Sequence, residues 1–489
     1  MNVKDIEIRY TNPFINGEYL TEEPTATIPV YSPINGKEIA QVFSCTADHV
    51  DRAVEAAKAA LPVWNNLNAE NKGVIMRKMA DEIRKRNDWI ANLETLNTGI
   101  PITTTKGHFA ARSAALYDYF SGIPDKIHGR TIPIDPANMM SMTIHQPLGV
   151  VAILLPWNAP FPEASLAISA AIGCGNTVVV KPASETPLTA LILGEICEAA
   201  GLPPGVVNIL PGPGSVVGDR MARHPDIARI SFTGGNASGK QVMSSAVDSI
   251  KACTLELGGK APVIICEDAD LEFAAAQASF SSVRNSGQIC TAATRLFIPE
   301  SIADKFKAMI VEKMKTYQVG DPFDPNTVLG PMVSKKHQQD VLSFIEEGKT
   351  HAKLVVGGDT PDDPALKDGY FINPTLFDDV DHNSRLAQEE IFGPVLCMFT
   401  YKTLEEAVNM ANDIKYGLAA SIFTNSIKNY MYFLDKSEAG VNWVNCINLS
   451  HPAITHGGYK ESGLGVQNGM DAVLQTYTRI KTVWINKHV

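Results

Sequence analysis

The chain has 489 residues, 45% of them hydrophobic and 19% charged, and 42 Lys and Arg against 53 Asp and Glu leave a formal net charge of −11. This length suffices for about three domains with sizeable cores, and the acidic balance argues against nucleic-acid binding, which needs clustered cations. No run of about 18 apolar residues offers a membrane span, and the charged start Met1-Asn2-Val3-Lys4-Asp5-Ile6-Glu7 lacks a signal-peptide core.

The 8 cysteines form no CxxC pair, so neither a zinc site nor a thioredoxin-like motif is expected. Cys266 and Cys397 lie in apolar runs and read as small buried hydrophobes. The expected setting is reducing and cytoplasmic.

The first ~120 residues are expected to be mainly helical. Val50, Ala53, Val54, Ala57 and Leu61 keep helical spacing, and Val74 through Ile90 holds a second amphipathic segment. Arg84-Lys85-Arg86 reads as the solvated face of such a helix. Residues 128–150 differ: Thr131-Ile132-Pro133-Ile134 and, after a Pro136-Ala137-Asn138 turn, Met139 to Ile144 suggest a β excursion.

From residue 150 the alternation is regular. Strands are expected at 150–155, 177–180, 206–210 and 227–232, and helices at 164–171, 188–200, 216–223 and 240–247. Short apolar strands alternating with helices imply an open, doubly wound parallel sheet covered on both faces. Ligands of such sheets sit beyond the carboxyl ends of the strands. That is where Pro156-Trp157-Asn158, Lys181-Pro182-Ala183-Ser184 and Thr233-Gly234-Gly235 fall. A second α/β region runs from about Lys260 to about residue 445, opening with a strand at 262–265 and a helix at 271–283. Within it Thr403-Leu404-Glu405-Glu406 reads as a capping box. The tail from Tyr477 to Ile485 is rich in β-branched and aromatic residues, and no segment looks like a linker.

The residues able to carry chemistry are individually undistinguished. Cys290 follows the helix ending near Val283, and Gly287 suggests a break that exposes the thiol, yet a buried structural cysteine fits as well. Glu256 precedes two glycines that allow close backbone approach, but alone it reads as a surface carboxylate. Asn158 suits a turn, Lys181 a solvated cation and Glu390 a loop charge.

Taken together they form an ordered set. Pro156-Trp157-Asn158 is followed by Gly175-Asn176-Thr177 leading to Lys181-Pro182, then by Phe232-Thr233-Gly234 and Glu256-Leu257-Gly258-Gly259-Lys260. Next come Gly287-Gln288-Ile289-Cys290, Glu389-Glu390-Ile391-Phe392-Gly393-Pro394 and Gly457-Gly458-Tyr459-Lys460-Glu461-Ser462-Gly463. In these motifs and their order the chain resembles the aldehyde dehydrogenase superfamily over nearly its whole length.

The resemblance implies oxidation of an aldehyde to a free carboxylic acid with hydride transfer to NAD or NADP. Cys290 would be the nucleophile, Glu256 the base that hydrolyses its thioester, and Asn158 an oxyanion donor together with the Cys290 backbone N–H. CoA-acylating relatives lack that base. Lys181 would bind the adenosine ribose, Glu390 the nicotinamide ribose, and Phe392 would pack beside it. Pro156, Trp157, Leu257 and the loop Thr233-Gly234-Gly235 complete the expected cofactor site, with a helix N-terminus at the pyrophosphate. The sheet carries no GxGxxG, which this family does not use. The implied domains are 1–124 with 147–257 for the cofactor, 258–467 for catalysis, and 125–146 with 468–489 for assembly into a homodimer or homotetramer.

Departures from the family pattern set the open questions. Ser184 stands where strictly NAD-dependent members carry glutamate, which removes a repulsion against a 2′-phosphate and favours NADP competence; Glu185 one residue on is the competing partner. Gly235 replaces a common serine, His456 a common phenylalanine, and Val466-Gln467 an Arg-Glu pair. Ala159 and Leu166 stand at tunnel positions that are often aromatic, so a roomier tunnel is expected. Arg284 suits a substrate carboxylate or a protein acid. A thiol esterase and a catalytically silent structural member of the same fold are the alternative functions.

Overall fold

The computed structural model describes residues 6–135 and 138–487. Two large sheets organise it. In the first, five parallel strands lie in the order Val207–Ile209, Thr177–Lys181, Val150–Leu154, Ile227–Thr233, Ala252–Glu256. Numbered along the chain this is 3-2-1-4-5, so the order reverses between Val150–Leu154 and Ile227–Thr233. The short pairs Phe14–Ile15 with Glu18–Tyr19 and Gly463–Leu464 extend its two edges antiparallel. Val150–Leu154 and Thr177–Lys181 are buried along their whole length, because helices cover both faces. The helices Pro160–Gly173 and Leu188–Ala200 are correspondingly apolar on nearly every side and almost fully buried.

The second sheet carries seven strands in the order Lys353–Val356, Thr375–Asp378, Val395–Tyr401, Ala293–Pro299, Ala261–Ile265, Ala419–Phe423, Val441–Val444. All but the first run parallel. Helix Leu271–Val283 packs on one face, where Ala274, Ala275 and Ala278 present no bulk and let it lie close to the strands. A small third sheet joins Thr131–Ile132, Met139–Pro147 and Thr478–Asn486, with the last two paired over nine residues. Among the described residues no helix is long and apolar enough to cross a membrane.

The structure refines the sequence reading in four places, while residues 47–120 are mainly helical as expected. The expected helical N-terminal region begins with strands: Thr27–Tyr31 and Glu38–Phe43 form a hairpin turned at Gly36, whose φ is +66°. Thr27, Ile28 and Val30, paired with a strand that carries Ile39 and Val42, favour β structure there. The segment expected from Val74 to Ile90 is two helices, Ala69–Lys85 and Asn87–Thr98, joined at Arg86, which leaves helical geometry at φ −100°, ψ 10°. At Thr403 the cap is half a box: its hydroxyl accepts the Glu406 N–H, while Glu406 reaches back to the N–H of Lys402 rather than Thr403. The tail rich in β-branched and aromatic residues forms the strand Thr478–Asn486, with Tyr477 ending the helix before it. The turn expected at Pro136-Ala137-Asn138 falls partly outside the described residues, as does the charged run Met1 to Asp5.

Candidate active site

Open parallel sheets bind ligands where the strand order reverses, beyond the carboxyl ends of the strands flanking that point. Here those ends are Pro156-Trp157-Asn158, which follow Leu154, and Thr233-Gly234-Gly235. Both loops open into a cavity of about 1100 Å³ shared with the second sheet. That exceeds the range of drug-sized sites, about 300–1000 Å³, and leaves room for a dinucleotide and a substrate together. Every site residue expected from the sequence lines it: Cys290, Glu256, Asn158, Lys181, Ser184, Pro156, Trp157, Thr233, Gly234, Gly235, Leu257, Glu390, Phe392, Arg284, Ala159 and Leu166.

Cys290 reaches the cavity through a contorted loop. After helix Leu271–Val283 the backbone turns left-handed at three successive residues, Asn285 (φ 50°), Ser286 (φ 54°) and Gly287 (φ 74°). Two of these are not glycine, so the turn stores strain of order 1–3 kcal/mol per residue. Side-chain bonds hold it: Asn285 Nδ2 donates to the Asn158 carbonyl at 3.0 Å, Ser286 Oγ to the Gly330 carbonyl at 2.7 Å, and Gln288 Oε1 accepts the Val333 N–H at 2.9 Å. A Cβ on Gly287 would collide with the Gly393 carbonyl, so only glycine fits. Asn158 Nδ2 donates to the Gln288 carbonyl at 3.0 Å, which ties the asparagine to the cysteine loop and leaves its second N–H for the cavity.

The electrostatics of the three groups follow from burial. Cys290 is half-buried, and desolvation pushes its thiol up, with Glu163, Glu390 and Glu256 adding to the effect. Glu256 ends the strand Ala252–Glu256 and is only 5% exposed, not the surface carboxylate its sequence suggests. Neither of its oxygens has a hydrogen-bond partner among the described residues. Burial, then the charge of Glu163, raises its pKa well above the usual carboxylate range. A buried acid kept free of partners and close to neutrality suits proton transfer rather than structure. Glu163, half-buried on helix Pro160–Gly173, is itself raised by burial.

The glycines after Glu256 are spacing devices. A Cβ on Gly258 would meet the Glu390 carboxylate, and one on Gly259 would come within 2.5 Å of the Cys290 carbonyl oxygen. Their absence lets Glu390 Oε1 accept the Gly259 N–H at 2.9 Å, and burial brings Glu390 up to about 7. Phe392 adopts a left-handed backbone (φ 56°) that turns its ring edge-on to Trp157, with centroids 5.2 Å apart. The Phe392 carbonyl and the His337 ring pair at 2.8 Å, and His337 also meets Trp157 edge-on.

At the other end of the cavity Lys181 is 8% exposed, and burial lowers its ammonium to about 8. It donates to the Pro182 carbonyl at 2.6 Å and the Gly212 carbonyl at 3.3 Å. Ser184 Oγ shares the Gly212 acceptor at 3.3 Å. Glu185 also lines this end. Helix Asn236–Ala246 opens at Gly235 with no side-chain cap, and a Cβ on Gly235 would meet nothing within 4 Å. Its first N–H groups are therefore left to a ligand.

Several lining residues escape sequence reasoning: Ser238 in the first turn of that helix, Glu163, whose charge acts on the cysteine, and Arg112 with His108, which lie by Arg284. Ser238 and Gly235 are three apart, one helical turn, which was legible once the helix start was known. Arg112 and Glu163 come from separate helices, so no local signal joins them.

The chain matches the model of the aldehyde dehydrogenase family over residues 19–483. It is 40% identical over 486 residues to retinal dehydrogenase 2 of Gallus gallus, covering 98% of this chain and 93% of that protein. Among solved structures it is similar to betaine aldehyde dehydrogenase of Staphylococcus aureus in complex with NAD+ (TM-score 0.96, 34% identity, 100% and 97% of the two chains). It is similar also to an indole-3-acetaldehyde dehydrogenase in complex with NAD+ (TM-score 0.96, 36% identity, 99% and 98%).

Proposed function

Because this chain belongs to the aldehyde dehydrogenase family, we propose that Cys290 is its nucleophile, Glu256 its general base and Asn158 its oxyanion donor. The chain oxidises an aldehyde to the free carboxylic acid and uses NAD(P). The observation that carries the residue roles is the convergence, in one cavity, of a thiol from one sheet with a partner-free buried carboxylate and an amide from the other.

The dinucleotide fits what lines the cavity. The uncapped helix N-terminus at Gly235, with Ser238, would hold the pyrophosphate; Lys181 and Ser184 the adenosine ribose; Glu390 and Phe392 the nicotinamide end. When bound, the nicotinamide supplies the hydride acceptor that no side chain provides.

The remaining work falls to the chain. Glu256 takes the thiol proton, and Cys290 Sγ adds to the aldehyde carbon. The free N–H of Asn158 and the Cys290 backbone N–H stabilise the oxyanion, each worth about 3–4 kcal/mol by analogy with other oxyanion donors. After oxidation Cys290 carries a thioester. Glu256, having passed the thiol proton to solvent, deprotonates water. Hydroxide adds to the thioester carbonyl, and the C–S bond breaks to return Cys290 as thiolate. The free acid departs, and the proton on Glu256 goes back to the sulfur or to solvent.

Ser184 adds no charge where a 2′-phosphate would lie and can donate to it, so we assign NADP competence alongside NAD. Ala159 and Leu166 leave width near Asn158 for the substrate. The span 1–124 with 147–257 is assigned to the cofactor, 258–467 to catalysis, and 125–146 with 468–489 to assembly as a homodimer or homotetramer. Ile480, Trp484 and Ile485 lie exposed on the last strand, which supports the latter. A cytoplasmic setting accords with the 8 free cysteines among the described residues.

The test is absorbance at about 340 nm with NAD and NADP against a panel of aliphatic, aromatic and carboxylate-bearing aldehydes, with acid product measured. Cofactor reduction without acid release overturns the hydrolytic role of Glu256. Ester hydrolysis without any cofactor reduction favours the thiol esterase, and cofactor binding without turnover favours a structural member.

A further inference from the structure

Resting on the reading above, we propose that Arg112 and Arg284 form a two-guanidinium receptor in the cavity, and that the substrate is an aldehyde carrying a carboxylate. Arg112 lies on helix Ala110–Phe120 and Arg284 at the end of helix Leu271–Val283, so two separate elements deliver cations to the cavity that Cys290 also lines.

Neither arginine forms an ion pair among the described residues. Among the described residues the Arg284 guanidinium donates no hydrogen bond, its backbone N–H alone bonding the Phe280 carbonyl, and the Arg112 guanidinium donates one, to the Ser450 hydroxyl. This is unusual economy in a chain where 53 acids face 42 lysines and arginines. Elsewhere its arginines find acids readily, as Arg86 does with Glu82 and Glu195. The two guanidiniums also repel each other: Arg284 is lowered by burial and then by the charge of Arg112. A half-buried cation beside a like charge is costly unless an anion joins them.

Among the described residues no carboxylate lies within ion-pair distance of either guanidinium, although Arg112 acts on Glu163 through its charge. His108 is held down by burial and by both arginines, and His456 is brought to about 4 by burial and Arg112, so both imidazoles stay neutral and uncharged hydrogen-bonding partners remain. Ser450 and Asn448 add a hydroxyl and an amide. Glu163, Glu256 and Glu390 line the same cavity; Glu163 is raised by burial and lowered by the charge of Arg112, and none of the three forms an ion pair with either arginine among the described residues. Guanidinium forks match the planar carboxylate through paired N–H donors.

The experiment compares kcat/KM of the full-length enzyme for succinic semialdehyde, glutaric semialdehyde and 4-carboxybenzaldehyde with butanal, pentanal and benzaldehyde. At least one carboxylate member should exceed its neutral counterpart by about 10-fold to 100-fold, as charge-assisted bonds to two arginines would give. Arg284→Leu and Arg112→Leu should each reduce that ratio at least about tenfold, chiefly through KM, and Arg284→Lys should restore part of it. Competitive inhibition by succinate against butanal, stronger than by butyramide, reads the same site in the unmodified enzyme. Oxidation of neutral aldehydes as well as their carboxylate partners overturns the receptor while leaving the dehydrogenase reading intact. So does a preference for glyceraldehyde 3-phosphate over every carboxylate, which would assign the receptor to phosphate. Failure to oxidise any aldehyde takes down the dehydrogenase reading and this inference with it.

Discussion

In the proposed reaction Cys290 and Glu256 divide the work, and their variants should fail differently. Cys290→Ala removes the proposed nucleophile and should lower kcat/KM by at least about four orders of magnitude. Glu256→Gln should still form the thioester but hydrolyse it slowly, which shows as a burst of reduced cofactor ahead of a depressed steady state. Equal loss of burst and steady state would place the role of Glu256 before the thioester instead. The pH dependence has a definite sign. Glu256 acts when deprotonated and its pKa is raised, so activity should fall with acidification at a pH above the ordinary carboxylate range. Glu163 contributes to that rise, so Glu163→Gln should shift the acid limb of kcat/KM to lower pH by about half a unit or more. An unmoved limb would detach Glu163 from Glu256. At the cofactor, Ser184→Glu should lower the NADP-to-NAD ratio of kcat/KM at least about tenfold, since a carboxylate there opposes a 2′-phosphate.

At the scale of elements the site depends on how helices and loops are pinned. Glu94, on helix Asn87–Thr98, is fully buried and accepts the Phe161 N–H at 3.2 Å, in the first turn of the helix that follows Asn158. It also accepts from the Thr189 hydroxyl on helix Leu188–Ala200. Burial lifts its pKa from 4.5 to about 7. The folded state therefore holds this proton more tightly than the unfolded chain, and the associated stability, roughly 3 kcal/mol, is present at low pH and lost as pH rises from about 4.5 to about 7. Glu94→Gln should flatten that part of the stability profile, measured as the difference in denaturation free energy from the parent at about pH 5 and about pH 8. A constant difference would show that Glu94 is charged throughout. The left-handed run Asn285–Gly287 is the second such element. Its strain is tolerable because the loop is bonded to Asn158, Gly330 and Val333, so the nucleophile and the oxyanion donor are set by one network.

At the scale of the whole molecule, two sheets make one site. The first contributes Asn158, Glu256, Lys181 and the helix at Gly235; the second contributes Cys290, Glu390 and Phe392. The small sheet lies apart from both. Its strand Thr478–Asn486 is an edge that leaves Ile480 63% and Trp484 58% exposed, an arrangement that a second copy of the chain would cover. Ile480→Asp with Trp484→Asp should reduce the mass measured by analytical ultracentrifugation to that of a monomer. An unchanged mass would move the interface elsewhere.

The sequence by itself determined the parallel sheets, because buried strands leave short apolar runs between helices that composition alone makes visible. It also determined the family, and it picked out residues that the structure brings to one cavity, because each motif sits at a strand end or a glycine. It misread what depended on partners distant along the chain. The N-terminal hairpin competes locally with helical composition, and Glu256 looks exposed until the fold buries it to 5% exposure. Only the tertiary structure could decide that its oxygens are unpaired, that Asn158 is tied to the cysteine loop, and that Arg112 stands beside Arg284. Burial and charge pairing arise between elements 100 or more residues apart, such as Asn158 and Gln288 with a separation of 130, and no periodicity encodes them.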